Sequence, residues 1–524
     1  MKKSILLLFT LFFTLLGQAQ VTKTVYSTAG TLYSKMTATE LSTVTNLIIL
    51  GTIDARDFVT LRDNMTKLAV LDISNVSIST YTGSLGSGGL SIIIYPANSI
   101  PNYAFCGNVS PYSGKKTLIS VIFPSTLTSI AQNAFANCTG LTGTLTLPSS
   151  VTNLGDYAFF SCSGLTGSLI LPNSIDSIGY QTFCACTGLT GVLTIPSSTT
   201  YIGENAFNDL PNINAFNVDV NNLNYSSING VLFNKNQTLL ILYPFTLQGK
   251  YSIPKSVSSI ENNAFVGCNG LTEITIPNSV TSIGEGAFAN CTGLTNLFIP
   301  NSVTSIVDYA FDGCTGLTTI EIPNSVTSIG NFTFYGCFGL TNLVIPNSVT
   351  SIGTDVFSYC TGLVNLTIPI SVTSIGTNAF SGCTRLTSIY ANSILPIDLS
   401  SSPNVFASVN KLTCTLYVPI GSKKYYSTIN QWEDFTNIVE TTTAIQNVNS
   451  SNINLYPNPT TDYFKISGFY GTALITLKDL NGKTLLTKQI TDNENISVSS
   501  LCKGVYILEI TTNEGTIEKK IIKD

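Results

Sequence analysis

Histidine is absent from the 524 residues, tryptophan occurs once and methionine three times. Without histidine there is no imidazole general base, no Ser-His-Asp or Cys-His nucleophile system, and no histidine-ligated zinc or haem. Charge is scarce as well, with charged residues at 10% against about 25% in an average soluble domain. The balance of 24 basic and 29 acidic residues leaves −5, so a basic nucleic-acid footprint is missing. Beyond the N-terminus no apolar run approaches the roughly 20 residues of a membrane-spanning helix. Disorder is excluded from the other side: 44% hydrophobic residues are enough to build a core. The length implies more than one structural unit.

Lys2 and Lys3 precede an apolar run from Ile5 to Leu16, and Gly17-Gln18-Ala19-Gln20 follows. This is the pattern of a secretory signal peptide over residues 1–19, cleaved after Ala19. The run is too short for an anchor, and no cysteine follows it to carry a lipid.

The middle of the chain repeats. Cys268, Cys291, Cys314, Cys337, Cys360 and Cys383 lie 23 residues apart, and Pro277, Pro300, Pro323, Pro346 and Pro369 keep the same step. One unit reads LTEITIPNSVTSIGEGAFANC, from Leu271 to Cys291. An earlier block steps by 24, as Cys138, Cys162 and Cys186 show, and its additional residue is the glycine of LTGTLTLP, LTGSLILP and LTGVLTIP. A small bulge is expected there. Eleven units run from Phe105 to Phe380, broken between Phe207 and Phe265. The intervening segment reads as a hairpin-like insertion near 208–250, turning at Asn229-Gly230.

Within one unit, Leu271 to Ile276 is short and β-favouring, hence a strand. Pro277 ends it, Asn278-Ser279 makes a turn, and Glu285 to Asn290 is long enough for one helical or 3₁₀ turn. A single 23-residue unit cannot bury both faces, whereas stacked copies share a continuous core. The expected fold is a repeat solenoid with one short parallel strand and one turn or 3₁₀/helical segment per coil. Strands about 4.8 Å apart put eleven units at roughly 50 Å.

The flanks read differently. Residues 20–100 hold strand and helix patterns outside the 23-residue period and read as an N-terminal cap, with the repeats over 101–390. Residues 391–440 read as a C-terminal cap in which Trp432 covers the last coil. Asp54, Asp57 and Asp63 form the densest acidic cluster; their spacing is not that of a calcium loop, and a solvated helix face is expected. A polar linker over 441–452 leads to a small all-β sandwich at 453–524, with turns at Asn481-Gly482 and Asn513-Glu514-Gly515.

Thirteen cysteines in a secreted chain would ordinarily signal disulfides. Here most recur at one repeat position, and the unit beginning Ala206-Phe207 puts Leu210 there. A position that accepts leucine is an apolar core position, so a buried thiol ladder is expected. Cys184 and Cys186 form C-x-C without the look of a metal site.

The motif L-x-x-I-x-I-P-x-S-V-x-x-I-G-x-x-A-F-x-x-C resembles the BspA-like leucine-rich repeats of bacterial surface antigens. The terminal motifs YPNPTTD at Tyr456–Asp462, DLNGK at Asp479–Lys483, LCKGVYILEI at Leu501–Ile510 and KKIIKD resemble the type IX secretion C-terminal sorting domain. These resemblances imply a secreted or outer-membrane surface protein that passes through the periplasm. They further imply adhesion or binding to an extracellular protein or polysaccharide, no catalysis, no cofactor, and the type IX machinery as a partner of the last domain. The alternatives are a structural spacer, or a carboxylate-dependent glycan-active enzyme. On the strand, the third and fifth positions of L-x-x-I-x-I point outward. The candidate ligand surface is therefore Glu273, Asn296, Phe298, Glu321, Asn342, Asn365 and Tyr390, with aromatics for contact area.

Overall fold

The computed structural model describes residues 20–89, 91–109, 112–441, 453–467, 472–479, 482–491, 494–512 and 515–524. The expected leader at 1–19, residues 442–452 of the linker, and parts of the two terminal turns lie outside these. Two compact units, Met1–Gly293 and Leu294–Asp524, divide the chain.

In the first unit, β1 (Thr22–Ser27), β2 (Asn46–Ile53) and β3 (Val70–Ile78) run parallel, with Thr22 opposite Asn46 and Asn46 opposite Val70. Val70 in turn faces Ser120 of the next strand. The segment expected as a cap is thus itself made of coils, with strands 24 residues apart. These coils lack the Ala-Phe-x-x-Cys signature because helices α1 (Ala38–Thr43) and α2 (Ala55–Val59) occupy its place. The acidic cluster also differs from expectation. Asp54 and Asp57 are 2% and 1% exposed and form the capping box of α2. Asp57 accepts from the backbone N–H groups of Gly30, Leu32 and Asp54 at 2.7–2.8 Å, while Arg56 pairs with Asp54 at 2.6 Å. These hydrogen bonds satisfy the buried carboxylates, while burial still raises the Asp57 carboxyl above its ordinary value against the pull of the Leu32, Asp54 and Gly30 N–H groups. Asp63 alone stays at the surface, paired with Arg62.

From residue 99 onward the coils of the first unit add a second, short strand that the apolar pattern did not reveal. Ser99–Ile100, Ser129–Ile130, Asn153–Leu154, Ser177–Ile178 and Tyr201–Ile202 align in parallel register. The isoleucine or leucine of each pair faces inward. Between this ladder and the next coil's long strand the chain makes turns rather than a helix. Their N–H groups bond across coils: Phe135 to Ala158, Phe159 to Thr182, Phe183 to Ala206, each 2.8–2.9 Å. The conserved spacing of phenylalanine becomes a stack, with Phe135, Phe159, Phe183 and Phe207 separated by 5.2, 5.4 and 6.0 Å and within 4° of parallel.

The glycine of the 24-residue units has positive φ at Gly143, Gly167 and Gly191, and the ladder shifts register between Gly191 and Val192, as the bulge reading required. In the insertion, Tyr225–Ile228 and Val231–Asn234 form the antiparallel hairpin about Asn229 and Gly230 (φ 50° and 84°). The chain then rejoins the short-strand ladder, Leu239-Leu240 opposite Ser259-Ile260. Tyr243 takes the phenylalanine place, 4.9 Å from Phe265. Asn222 anchors the excursion: its buried amide donates to the Pro196 and Thr199 carbonyls and accepts from the Asn224 and Tyr225 N–H groups.

The second unit repeats the plan. Asn296–Phe298, Thr319–Glu321, Asn342–Val344, Asn365–Ile368, Ser388–Ala391, Thr415–Pro419 and Asn437–Thr441 follow one another in a parallel ladder. The segment expected as a C-terminal cap therefore extends the sheet as well. After the four strands from Asn296 to Ile368, the proline carbonyl accepts from the valine N–H three residues on, as in Pro323–Val326 and Pro346–Val349 at 3.0 Å. Phe311, Phe334, Phe357, Phe380 and Phe406 stack at 5.3–5.8 Å. Trp432 closes that stack, fully buried, 4.9 Å from Phe406, with its Nε1–H donating to the Ile397 carbonyl.

Residues 453–524 form the expected sandwich. A three-stranded sheet (Asn454–Tyr456, Tyr463–Ser467, Asn495–Ser497) and a four-stranded sheet (Thr484–Thr491, Thr472–Lys478, Gly504–Thr512, Gly515–Lys523) are both antiparallel. Phe464, Ile466, Ile475, Leu477, Leu508 and Ile510 share its core.

Candidate functional site

The repeated cysteine is part of the frame, not of a site. Its Sγ lies within hydrogen-bond distance of the phenylalanine carbonyl of the coil before: Cys162 to Phe135, Cys186 to Phe159, Cys337 to Phe311, Cys360 to Phe334, at 3.0–3.3 Å. Leucine fills the same space at Leu210, where it is buried but has no hydrogen to donate. Burial pushes Cys138, Cys186, Cys268 and Cys383 up to about 12, so these thiols are poor nucleophiles. Cys502 is the exposed cysteine. Among the described residues no group of three or more acidic or cysteine side chains gathers to hold a metal ion. Nor is any helix among them long and apolar enough to cross a membrane.

The long strands turn alternate side chains outward. In the first unit Glu273 is exposed on Leu271–Thr275 and ion-paired with Lys250 on the adjacent strand at 2.6 Å. In the second unit Asn296, Phe298, Glu321, Asn342 and Asn365 are exposed as expected. The ladder aligns them in two columns. Asn296, Thr319, Asn342, Asn365 and Ser388 form one, with the Thr319 hydroxyl 2.9 Å from the Asn296 Oδ1. Phe298 beside Glu321, and Val344, Thr367, Tyr390 and Tyr417 in line, make the other. Phe298 is 56% exposed. Not every member keeps the outward pattern, and Ser388 and Tyr417 are half-buried. Thr367 is buried at 7% exposure, and Tyr390 is half-covered because its ring stacks on Tyr417, 4.6 Å away and 9° from parallel. Burial and the Tyr417 neighbour together raise the Tyr390 hydroxyl above its ordinary value. Tyr417 escaped the sequence reading because its strand lies outside the 23-residue period.

The turn side of the second unit holds a feature that the apolar pattern gave no sign of. A cleft of about 510 Å³ is lined by Tyr309, Asp312, Phe332, Tyr335, Asp355 and Tyr359 together with Ser358, Asn378 and Ser381. Tyr309 and Phe332 stack at 4.9 Å and 1°, and Tyr335 meets Tyr359 edge-on at 5.5 Å. Tyr309, Phe332, Asp355 and Tyr359 all have φ between 52° and 59°. Asn133, Asn205, Asn263 and Gly286, which tolerate it, hold the position before Ala-Phe in some other coils, and Tyr103, Tyr157 and Gln181 hold it in the rest of the first unit. A ring there costs roughly 1–2 kcal/mol. Asp355 accepts from the Asn378 amide at 3.3 Å. Burial raises the Asp312 carboxyl, and burial followed by Tyr359, Asp355 and Asp312 raises the Tyr335 hydroxyl. The signal that could have found the cleft is the run of Tyr309, Phe332 and Asp355 at one repeat position.

Residues 98–239, 246–364 and 283–413 match the BspA type leucine rich repeat region, in six copies. Residues 454–524 match the secretion system C-terminal sorting domain. Among solved structures, the chain is similar to a leucine-rich repeat protein from Eubacterium ventriosum, with a TM-score of 0.50 and 24% identity over 68% of this chain and 92% of that one. It is also similar to a leucine rich cell surface protein from Faecalibacterium prausnitzii, with a TM-score of 0.40 and 29% identity over 61% and 86%. Pneumococcal vaccine antigen PcpA aligns with a TM-score of 0.46 and 20% identity over 75% and 80%. No curated protein matches.

Proposed function

Because the chain belongs to the BspA-type leucine-rich repeat proteins and carries a type IX secretion sorting domain at residues 454–524, we propose that it is an adhesion or binding protein. It is delivered through the periplasm to the cell surface or beyond, and it engages an extracellular protein or polysaccharide. The strand face of the second unit is the binding surface in this reading, with Asn296, Phe298, Glu321, Asn342, Asn365 and Tyr390 as contacts and Glu273 as a separate contact on the first unit. The observation that carries it is the open row of small polar groups around Phe298, a large ring left 56% exposed. An exposed ring beside amides offers area and hydrogen bonds together, which favours contact with a partner. Isolated exposed apolar side chains are ordinary on any surface, so the test is mutational. An array of glycans and matrix proteins is probed with residues 20–524 and with the Phe298→Ser/Glu321→Gln variant. A partner of the native chain should bind the variant at least about tenfold more weakly, a loss of roughly 1.4 kcal/mol. Equal binding would remove the strand face from the reading.

One observation favours a second reading. Asp312 and Asp355 line one cleft, and paired carboxylates are the minimum for glycoside hydrolysis. Release of reducing ends from an oligosaccharide, lost in Asp312→Asn, would support it; binding without cleavage would return the chain to the adhesive reading.

A further inference from the structure

The turn-side cleft of the second unit is not used by the strand-face reading, and we propose that it receives lysine and arginine side chains of a basic peptide segment on a partner protein. Two observations carry this. First, charge: Asp312 and Asp355 both line the cleft, and neither is ion-paired among the described residues. From residue 294 to 391 the only basic residue is Arg385. A half-buried carboxylate without a counter-ion is an unfavourable arrangement that an incoming cation relieves. Second, chemistry of the walls: Tyr309, Phe332, Tyr335 and Tyr359 surround the carboxylates, and aromatic faces attract ammonium and guanidinium groups. Tyr309 and Tyr359 remain 38% and 49% exposed.

The lining comes from four successive coils, those of Phe311, Phe334, Phe357 and Phe380. Coils stack about 4.8 Å apart, so an extended peptide, with side chains of one face about 7 Å apart, can place successive basic groups along the cleft. A neutral glycan would stack on the rings but leave both carboxylates uncompensated.

The test is fluorescence polarisation of a labelled nine-residue arginine–serine peptide and its glutamate–serine counterpart on the full mature chain. The arginine peptide should bind, more weakly as salt rises, and the glutamate peptide should not. The near-isosteric Asp312→Asn/Asp355→Asn variant should bind the arginine peptide at least about tenfold more weakly, and Tyr359→Ser should weaken it independently. Phe298→Ser on the strand face should leave it unchanged, which separates this site from the adhesive one. Native-like affinity in the double Asn variant would overturn the proposal. So would a native chain that ignores the arginine peptide yet binds tetramethylammonium or a neutral oligosaccharide.

Discussion

Replacing Phe334 by alanine should cost about 4 kcal/mol, and the loss should stay local. The ring is fully buried, and truncation of a core phenylalanine costs roughly 3–5 kcal/mol through lost transfer energy and the cavity left behind. It sits between Phe311 and Phe357, 5.4 and 5.3 Å away and within 9° of parallel. Each stacked pair contributes roughly 0.5–1.5 kcal/mol beyond its buried area, although the two do not add to the truncation cost in full. The neighbouring turns are tied to this coil by backbone bonds, Phe311 N–H to the Thr333 carbonyl and Phe334 N–H to the Val356 carbonyl, both 2.9 Å. Opening one coil therefore exposes the two beside it. In a stack where each coil contacts only its neighbours, damage decays over one or two repeats. Native-state hydrogen exchange followed by mass spectrometry should show amides of the Phe311, Phe334 and Phe357 coils exchanging about a thousandfold faster, the equivalent of roughly 4 kcal/mol. Phe334→Leu, which refills most of the space, should cost under about 1.5 kcal/mol. An even loss of protection through both units would refute the nearest-neighbour reasoning.

In the native chain at pH 8, iodoacetamide should modify Cys502 while the buried thiols of the repeat stay untouched; after unfolding all thirteen cysteines should react. Native modification of Cys162 or Cys337 would contradict their burial. The Lys23 ion pair and the Thr37 backbone N–H hold the Glu40 carboxyl down at about 2, against an ordinary 4.5. A depressed carboxyl stabilises the fold above its unfolded value and loses that contribution as pH falls. Glu40→Gln should therefore be less stable than the native chain above pH 4.5 and equal to it near pH 2, as read by urea unfolding across that range.

The residues that announced the fold are those whose role is identical in every coil. Phe334 and its equivalents are the inward rings, the cysteines three residues later occupy a leucine-compatible core position, and Asn229-Gly230 turns a hairpin for the reason its φ values require. Features carried by too few residues did not show. A two-residue strand such as Ser351–Ile352 has no period to read, so the second ladder was invisible. The coils at 22–78 were hidden because α1 and α2 replace the phenylalanine signature. Asp54 and Asp57 read as surface because a carboxylate is buried only when particular donors converge on it, and those on Asp57 include the Gly30 and Leu32 N–H groups, distant in sequence. At the candidate sites, alternation along the strand placed Asn296, Phe298 and Glu321 correctly. It could not foresee that Tyr417 would cover Tyr390, and positive φ at Tyr309 and Phe332 is a property of the turns, not of hydropathy.

In the function proposed above, the last seventy or so residues address the repeat domain for display. This role is tested most directly by deleting residues 453–524 in the producing cell, then fractionating and shaving intact cells with protease. The sandwich has its own core, separate from the Phe406–Trp432 contact that closes the repeats, so removal should leave the repeats folded. A protease-resistant repeat domain retained in the periplasm, with none accessible on the cell surface, is the expected result. Normal surface display of the truncated chain would contradict that role.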